Sequence, residues 1–152
     1  MGTKFQGSEE EILTLNTYIS LLRSTDTITS RLSQFLSKNQ LTLSQFGVLE
    51  CLYFLGPLCQ KELSQKILKS TANLTTVISN LEKRKFVVRV RQQKDKRFFL
   101  IHLTKTGHQT IEKILPHHFQ EIFNLFQVLD LQDKKELYRI CKKLGISNQV
   151  LK

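Results

Sequence analysis

The chain has 152 residues, a formal net charge of +10 at pH 7 and ten phenylalanines, which predicts one basic globular domain, residues 1–152, with a hydrophobic core. No apolar run is long enough to cross a bilayer and the first residues contain no apolar signal core, so we expect a cytoplasmic protein without a membrane partner. Three widely spaced cysteines argue against a disulfide framework.

The first predicted element is a helix over residues 9–38, preceded by a frayed tail. Three successive glutamates at its start suit the positive end of the helix dipole. An apolar stripe follows, which includes Leu15, Ile19 and Leu22. A helix of about thirty residues is long for a small globular protein, so its stripe predicts burial against a second chain. Asp26 interrupts the series, either as a solvated residue after a slip in phase or as a polar group in an effector pocket or dimer contact.

The middle of the chain predicts a helix-turn-helix. A capping box of Thr42 and Gln45 begins one helix, which Gly56 and Pro57 end. Two short helical patterns follow, QKELSQKIL and ANLTTVISNLEKR, with a tight break between them. The second pattern repeats apolar residues with a helical period and leaves small polar side chains on its other face, which indicates a recognition helix. The residues predicted to face the major groove of DNA are Ser70, Thr71, Asn73, Thr75, Thr76, Ser79, Asn80 and Lys83.

A basic hairpin comes next, with the sequence FVVRVRQQKDKRFFLIHL. Apolar Val88 and Val90 alternate with Arg89 and Arg91, which is the period of a half-exposed strand. Residues 83–97 contain eight basic residues and one acid, so the local charge is 8 − 1 = +7. Such a cluster would neutralise phosphates and release counterions, and the alternative is a solvated basic face.

Two further helices complete the chain. The first begins at Thr104 and carries an apolar line as far as Leu129, with Pro116 inside it, which predicts a kink. The second begins at about Leu131 and is expected to stop at Gly145. The apolar stripes of these helices and of the first helix can be buried together in a twofold dimer that presents two recognition helices. The predicted interface residues are Ile12, Leu15, Ile19, Ile122, Leu137, Ile140 and Leu144.

The stretch LKSTANLTTVISNLEKRKFVVRVRQQKDKRFFLIHLTKTG resembles the MarR family of bacterial and archaeal transcriptional regulators. The motifs that carry the resemblance are the recognition helix ending in LEKR, the wing tip Asp95-Lys96-Arg97, and Leu103-Thr104 followed by Gly107. The resemblance implies a mainly α fold with a small β-hairpin wing. In that fold a winged helix-turn-helix lobe, residues 42–103, is flanked by dimerisation helices, residues 9–38 and 104–145.

The resemblance also implies roles for the wing. In the family the aspartate and arginine of the wing tip act together and the arginine enters the minor groove, which here are Asp95 and Arg97. This chain has Lys85 where most members have a glycine as the left-handed cap of the recognition helix, so a non-glycine residue must either bear some strain there or end the helix differently. The residues predicted to contact DNA from the wing and along the backbone are Lys69, Arg84, Arg91, Lys94, Asp95, Lys96 and Arg97.

The predicted function is that of a homodimeric transcriptional regulator, a repressor, which binds palindromic double-stranded DNA. The family resemblance suggests release by a small aromatic effector. The alternative is a winged-helix protein-interaction module without sequence-specific DNA binding. The sequence contains no Walker loop, GxSxG or HExxH motif and no histidine spacing suited to zinc, so we expect neither enzyme activity nor a metal or cofactor. Cys51 is expected in the core, and Cys59 near a helix start, where a thiolate could be stabilised.

Overall fold

The computed structural model describes residues 2–67, 71–91 and 99–149. The chain divides into two compact units, Met1–Phe119 and Gln120–Lys152. Within the described ranges the elements are α1 (Glu9–Lys38), α2 (Leu43–Leu55), β1 (Leu58–Cys59), α3 (Gln60–Lys66), α4 (Thr71–Lys83), β2 (Val87–Arg91), β3 (Phe99–Leu103), α5 (Lys105–Leu125) and α6 (Leu131–Gln149). The predicted mainly α fold with a small sheet is therefore confirmed. None of these helices combines the length and the apolar character needed to cross a bilayer.

Helices α1 and α2 begin at the residues that the sequence predicts, Glu9 and Leu43. Ser8 caps α1, and its N–H donates to the Glu11 carboxylate at 2.8 Å. Thr42 and Gln45 make the predicted reciprocal pair at the start of α2, with distances of 3.0 and 3.2 Å. The tail before α1, predicted to be frayed, contacts the helix at Thr3, whose N–H donates to Asn16 Oδ1 at 2.7 Å.

The core of the first unit lies between the helices of the helix-turn-helix, the sheet and the first half of α5. The side chains that become fully buried there include Phe46, Leu49, Leu63, Leu74, Ile78, Leu81, Ile101 and Ile111. They come from α2, α3, α4, β3 and α5. Burial of this shared apolar surface therefore packs one face of α4 against the other elements. The opposite side of α4 remains available to solvent.

The sheet has three antiparallel strands in the order β1-β3-β2, one more than the predicted hairpin. Leu58 and Cys59 of β1 pair with Ile101 and Leu100 of β3, and a two-residue strand is too short to show an alternating pattern. The register Arg89↔Ile101 places the arginine on the side of the buried Ile101. Consequently Val88 and Val90, the apolar members of the alternation, are 44% and 45% exposed.

Two boundaries near the C-terminus differ from the prediction. Helix α5 continues through Pro116 but ends at Leu125, so Leu129 lies outside it in the turn before α6. Helix α6 does not stop at Gly145 and runs on to Gln149. A glycine inside a helix costs only about 1 kcal/mol relative to alanine, and it ends a helix only when the backbone turns left-handed there.

His118 of α5 is buried in an aromatic environment. Its ring lies 4.2 Å from the ring of Phe46 between centroids and 6.1 Å from that of Phe35, and 5% of the residue is exposed. Among the residues that the structure describes, Nδ1 has no hydrogen-bond partner. Burial lowers the pKa of His118 because it disfavours the charged imidazolium.

This burial predicts acid destabilisation. Above the unfolded-state pKa, about 6.5, both states hold a neutral imidazole, and below it only the unfolded chain takes up the proton. The free energy of unfolding should therefore fall as the pH drops below about 6.5, by up to about 1.4 kcal/mol per pH unit. Urea denaturation between pH 7.5 and 5.5 measures this. The variant His118→Leu should lose the dependence, whereas His117→Leu, at the neighbouring exposed position, should keep it. Equal pH dependence in His118→Leu and wild type would contradict the prediction.

Candidate nucleic-acid interface

Helix α4 has one apolar face and one polar face. Leu74, Ile78 and Leu81 are completely buried. The polar residues predicted to face DNA are exposed at Asn73, Thr75, Thr76, Asn80 and Lys83, and Ser79 is half-buried. Thr71 begins the helix, and Lys69 and Ser70 lie outside the described residues. The periodicity of the sequence therefore assigned the two faces of this helix correctly.

A hydrogen bond joins helix α3 to the exposed side of α4. Gln60, the first residue of α3, donates from Nε2 to Thr75 Oγ1 at 2.6 Å. The contact joins the N-terminus of the first helix of the motif to the middle of the second. It also orients the Thr75 hydroxyl, one of the residues predicted to face the major groove. No local sequence pattern could indicate this pair, because the two residues are 15 positions apart.

The end of α4 is closed by a left-handed residue that is not glycine. The Phe86 N–H donates to the Leu81 carbonyl at 2.9 Å and the Lys85 N–H to the Glu82 carbonyl at 2.8 Å, the two hydrogen bonds of a Schellman motif. Lys85 has a φ of 60°, so of the two alternatives, a strained left-handed cap and a different helix end, the chain adopts the strained cap. An L residue other than glycine pays a steric penalty there.

Replacing Lys85 by glycine should therefore stabilise the protein, by about 0.5–1 kcal/mol. The measurement is the midpoint of chemical denaturation. Lys83→Gly, two positions earlier in right-handed helix, is the matched control and should destabilise by about 1 kcal/mol. A loss of stability in Lys85→Gly would show that the lysine side chain itself contributes more than the backbone strain costs.

Several basic residues near the end of α4 have intramolecular partners. Arg89 forms an ion pair with Glu82 at 3.0 Å, and both side chains are about two-thirds buried. The guanidinium of Arg84 lies 4.5 Å from the centre of the Phe86 ring, and that of Arg91 lies 5.3 Å from the Phe99 ring. The Glu82 carboxylate therefore offsets one positive charge, whereas the two aromatic contacts leave the charges of Arg84 and Arg91 unchanged. The phosphate role of Arg84 remains a prediction.

The tip of the wing lies outside the described residues. It contains Lys94, Asp95, Lys96 and Arg97, whose roles stay predictions from the family resemblance. Arg91, the last residue of β2, directly precedes the tip in the chain and is exposed. Lys83 at the end of α4 and Lys85 in its cap are also exposed.

The residues predicted for the dimer interface are accessible in the single chain. On α1, Ile12, Leu15 and Ile19 are half-buried, and α1 also exposes Leu22. In the second unit Ile122 is half-buried and Leu137, Ile140 and Leu144 are exposed. Asp26 is exposed to solvent. The assignment of these residues to an interface stays a prediction.

The two cysteines of the first unit lie in different settings, Cys51 inside α2 and Cys59 at the N-cap of α3. Cys51 is half-buried, and burial, with a smaller contribution from the Glu50 carboxylate, raises the pKa of its thiol. The Cys59 backbone N–H donates to Glu62 at 2.7 Å at the start of α3. Across the described ranges, no three His, Cys, Asp or Glu residues group as metal ligands would.

An open cleft of about 350 Å³ lies between the end of α1 and α5. Its lining residues are Asn39, Thr106, Gln109, Thr110, Lys113 and Ile114. All but the isoleucine are polar, whereas pockets for small aromatic ligands are lined mainly by apolar side chains. The cleft therefore lacks the lining of an aromatic effector site.

A helix-turn-helix whose second helix exposes a polar face, followed by a basic β-wing, is the structure of a winged helix-turn-helix transcription regulator. The comparisons with known proteins agree. A family model described as transcriptional regulator SarA/Rot matches residues 31–114, more than half of the chain. The HTH-type transcriptional regulator YkoM of Bacillus subtilis is 32% identical over 145 residues, which cover 95% of this chain and 94% of YkoM. The chain belongs to the SarA/Rot family of transcriptional regulators.

Solved structures show the same fold. AbsC, a MarR family transcriptional regulator from Streptomyces coelicolor, superposes with a TM-score of 0.85 at 22% identity, covering 97% of this chain and 99% of AbsC. Sco3205, a MarR family regulator from the same organism solved in complex with DNA, gives a TM-score of 0.82 at 20% identity, covering 93% and 90%. The predictions of a MarR-type winged helix-turn-helix and of a DNA-binding transcription regulator are confirmed.

Proposed function

We propose that the protein is a homodimeric repressor that binds a palindromic operator and places one α4 helix in the major groove of each half-site. The observation that carries the proposal is the division of α4 into a buried apolar face and an exposed face of short polar side chains. Such a face can approach base edges closely, because short side chains keep the helix near the floor of the groove. The proposed action is binding rather than catalysis, on chromosomal DNA in the cytoplasm.

In this proposal, contacts with bases provide specificity and contacts with phosphates provide affinity. Asn73 and Asn80 can read adenine edges, and Thr76 can contact a thymine methyl group. The exposed Lys83 and Arg91 are proposed to contact phosphates, which position the helix without reading sequence. Outside the described residues, the proposal assigns phosphates to Lys69, Lys94 and Lys96 and the minor groove to Arg97, oriented by Asp95. That part rests on the resemblance to the MarR family.

The test is a titration of two duplexes at several salt concentrations, one a palindrome selected from the region upstream of the gene and the other its scrambled sequence. The protein should prefer the palindrome at every salt concentration. About 6–10 phosphate contacts per dimer give a slope of log affinity on log salt of about −5 to −9. The variant Asn80→Ala should weaken palindrome binding by about 1–3 kcal/mol and keep that slope.

Lys83→Ala is the matched comparison on the same helix. It should weaken binding to both duplexes equally and reduce the slope by about 0.9 for each protomer. If wild type binds both duplexes alike at every salt concentration, the basic surface is only electrostatic. The fold would then serve the alternative function of a protein-interaction module.

Release by a small aromatic effector is a further part of the proposal, and the resemblance to the MarR family supports it. The effector would lower affinity by favouring a spacing of the two α4 helices that does not fit the operator. Operator titration with and without salicylate, as a probe of small phenolic acids, tests this part alone. Unchanged operator affinity at millimolar salicylate would remove this phenolic acid from the proposal and leave operator recognition intact.

A further inference from the structure

The C-terminal end of the recognition helix is tied to two other helices of the same unit. Arg84, the residue after α4, donates from Nη1 to the backbone carbonyl of Gln40 at 2.5 Å, and Gln40 lies in the turn that ends α1. On the other side, the Thr104 hydroxyl before α5 donates to the Lys85 carbonyl at 2.6 Å. The Thr104 N–H donates to the Phe86 carbonyl at 3.0 Å. Helices α1, α4 and α5 therefore meet at one junction.

Both partners of the Arg84 hydrogen bond are held in place. Gln40 has a φ of 57°, and its N–H donates to the Ser37 carbonyl at 2.9 Å, so the turn that presents its carbonyl is fixed on α1. Arg84 is half-buried as a residue, and its guanidinium lies over the Phe86 ring, 4.5 Å from the ring centre. A planar group held by a hydrogen bond and a ring has little freedom to turn toward a phosphate.

We propose that Arg84 is a positioning residue for operator recognition, fixing the direction of α4 relative to α1. The inference rests on the proposed function, in which α4 reads the operator. Contacts to base edges require side chains to be placed within about 0.5 Å, so a small rotation of α4 reduces base contacts more than phosphate contacts. Because α1 is proposed to lie in the dimer interface, the same hydrogen bond would transmit the arrangement of the two protomers to their recognition helices.

The experiment compares Arg84→Gln with Lys83→Gln, which remove the same charge at neighbouring positions. Both are titrated against the palindromic and scrambled duplexes over a range of salt concentrations. Arg84→Gln should lower the preference for the palindrome about tenfold, the size of one lost base contact, with the salt slope of wild type. Lys83→Gln should keep the preference and lower the slope by about 0.9 per protomer.

Other outcomes overturn the assignment. If Arg84→Gln lowers the salt slope and weakens binding to both duplexes by the same factor, Arg84 contacts a phosphate and is not a positioning residue. If the variant binds both duplexes more weakly by the same factor and keeps the salt slope, a smaller fraction of the protein is folded. If it binds both duplexes as wild type does, the hydrogen bond at the junction does not contribute to operator recognition. If Arg84→Gln does not fold, Arg84→Lys replaces it, because the charge is kept and the planar group is lost, and its preference must also fall. If the wild-type protein binds the palindromic and scrambled duplexes equally well, the result contradicts the proposed function and not this role of Arg84.

Discussion

Gly107→Ala should destabilise the protein by about 3 kcal/mol, although alanine is the better helix former. Gly107 is buried in the first turn of α5, and a Cβ built on it would lie 2.0 Å from the backbone carbonyl oxygen of Phe86. That oxygen cannot move freely, because it accepts from the Thr104 N–H at 3.0 Å, and the Thr104 hydroxyl, shared with the Lys85 carbonyl, lies 3.2 Å from it. The methyl group must therefore push α5 away from the cap of α4 and weaken these hydrogen bonds.

Urea denaturation at a fixed protein concentration measures the effect, since dimer formation makes stability depend on concentration. The matched control is Gly145→Ala, because Gly145 also lies inside a helix and a Cβ there would meet nothing within 4 Å. It should stabilise by about 0.5–1 kcal/mol. The same chemical change should therefore lower the free energy of unfolding at Gly107 and raise it at Gly145. A Gly107→Ala variant as stable as wild type would mean that α5 can shift away from Phe86 at little cost.

The elements that the sequence predicted well are those determined by local chemistry. The boundaries of α1, residues 9–38, follow from acidic residues at one end and loss of the apolar period at the other. The start of α2 follows from the Thr42 and Gln45 pair, and the faces of α4 follow from its strong helical period. The left-handed residue at Lys85 could also be located, because the resemblance supplies the position of the cap.

The features that the sequence missed depend on how distant segments meet. Strand β1 exists because Leu58 and Cys59 lie beside β3, and two residues carry no period of their own. The inward face of β2 follows from its register against Ile101, which outweighs the apolar character of Val88 and Val90. Arg84 was predicted to contact phosphate from its charge alone, whereas its hydrogen-bond partner, Gln40, is 44 positions away. Tertiary partners of this kind leave no pattern in a single sequence.

Leu15→Asp should dissociate the dimer and lower operator affinity by about 10²- to 10⁴-fold, the advantage that a second linked site provides. Leu15 is half-buried in the single chain, so an aspartate there can stay hydrated in a folded monomer. In the proposed interface the same carboxylate would be buried without a partner, at a cost of several kcal/mol. The equilibrium should therefore move toward monomers, each of which reaches only one half-site.

Leu13→Asp is the matched control, with the same substitution two positions earlier on α1. Leu13 is 65% exposed and lies about 200° around the helix from Leu15, away from the predicted stripe. Sedimentation velocity should show monomers for Leu15→Asp and dimers for Leu13→Asp, and the operator titration should separate the two variants in the same way. Circular dichroism confirms that both variants are folded before they are compared. An intact dimer in Leu15→Asp would remove this stripe from the interface, and dissociation by Leu13→Asp instead would place the interface on the other face of α1.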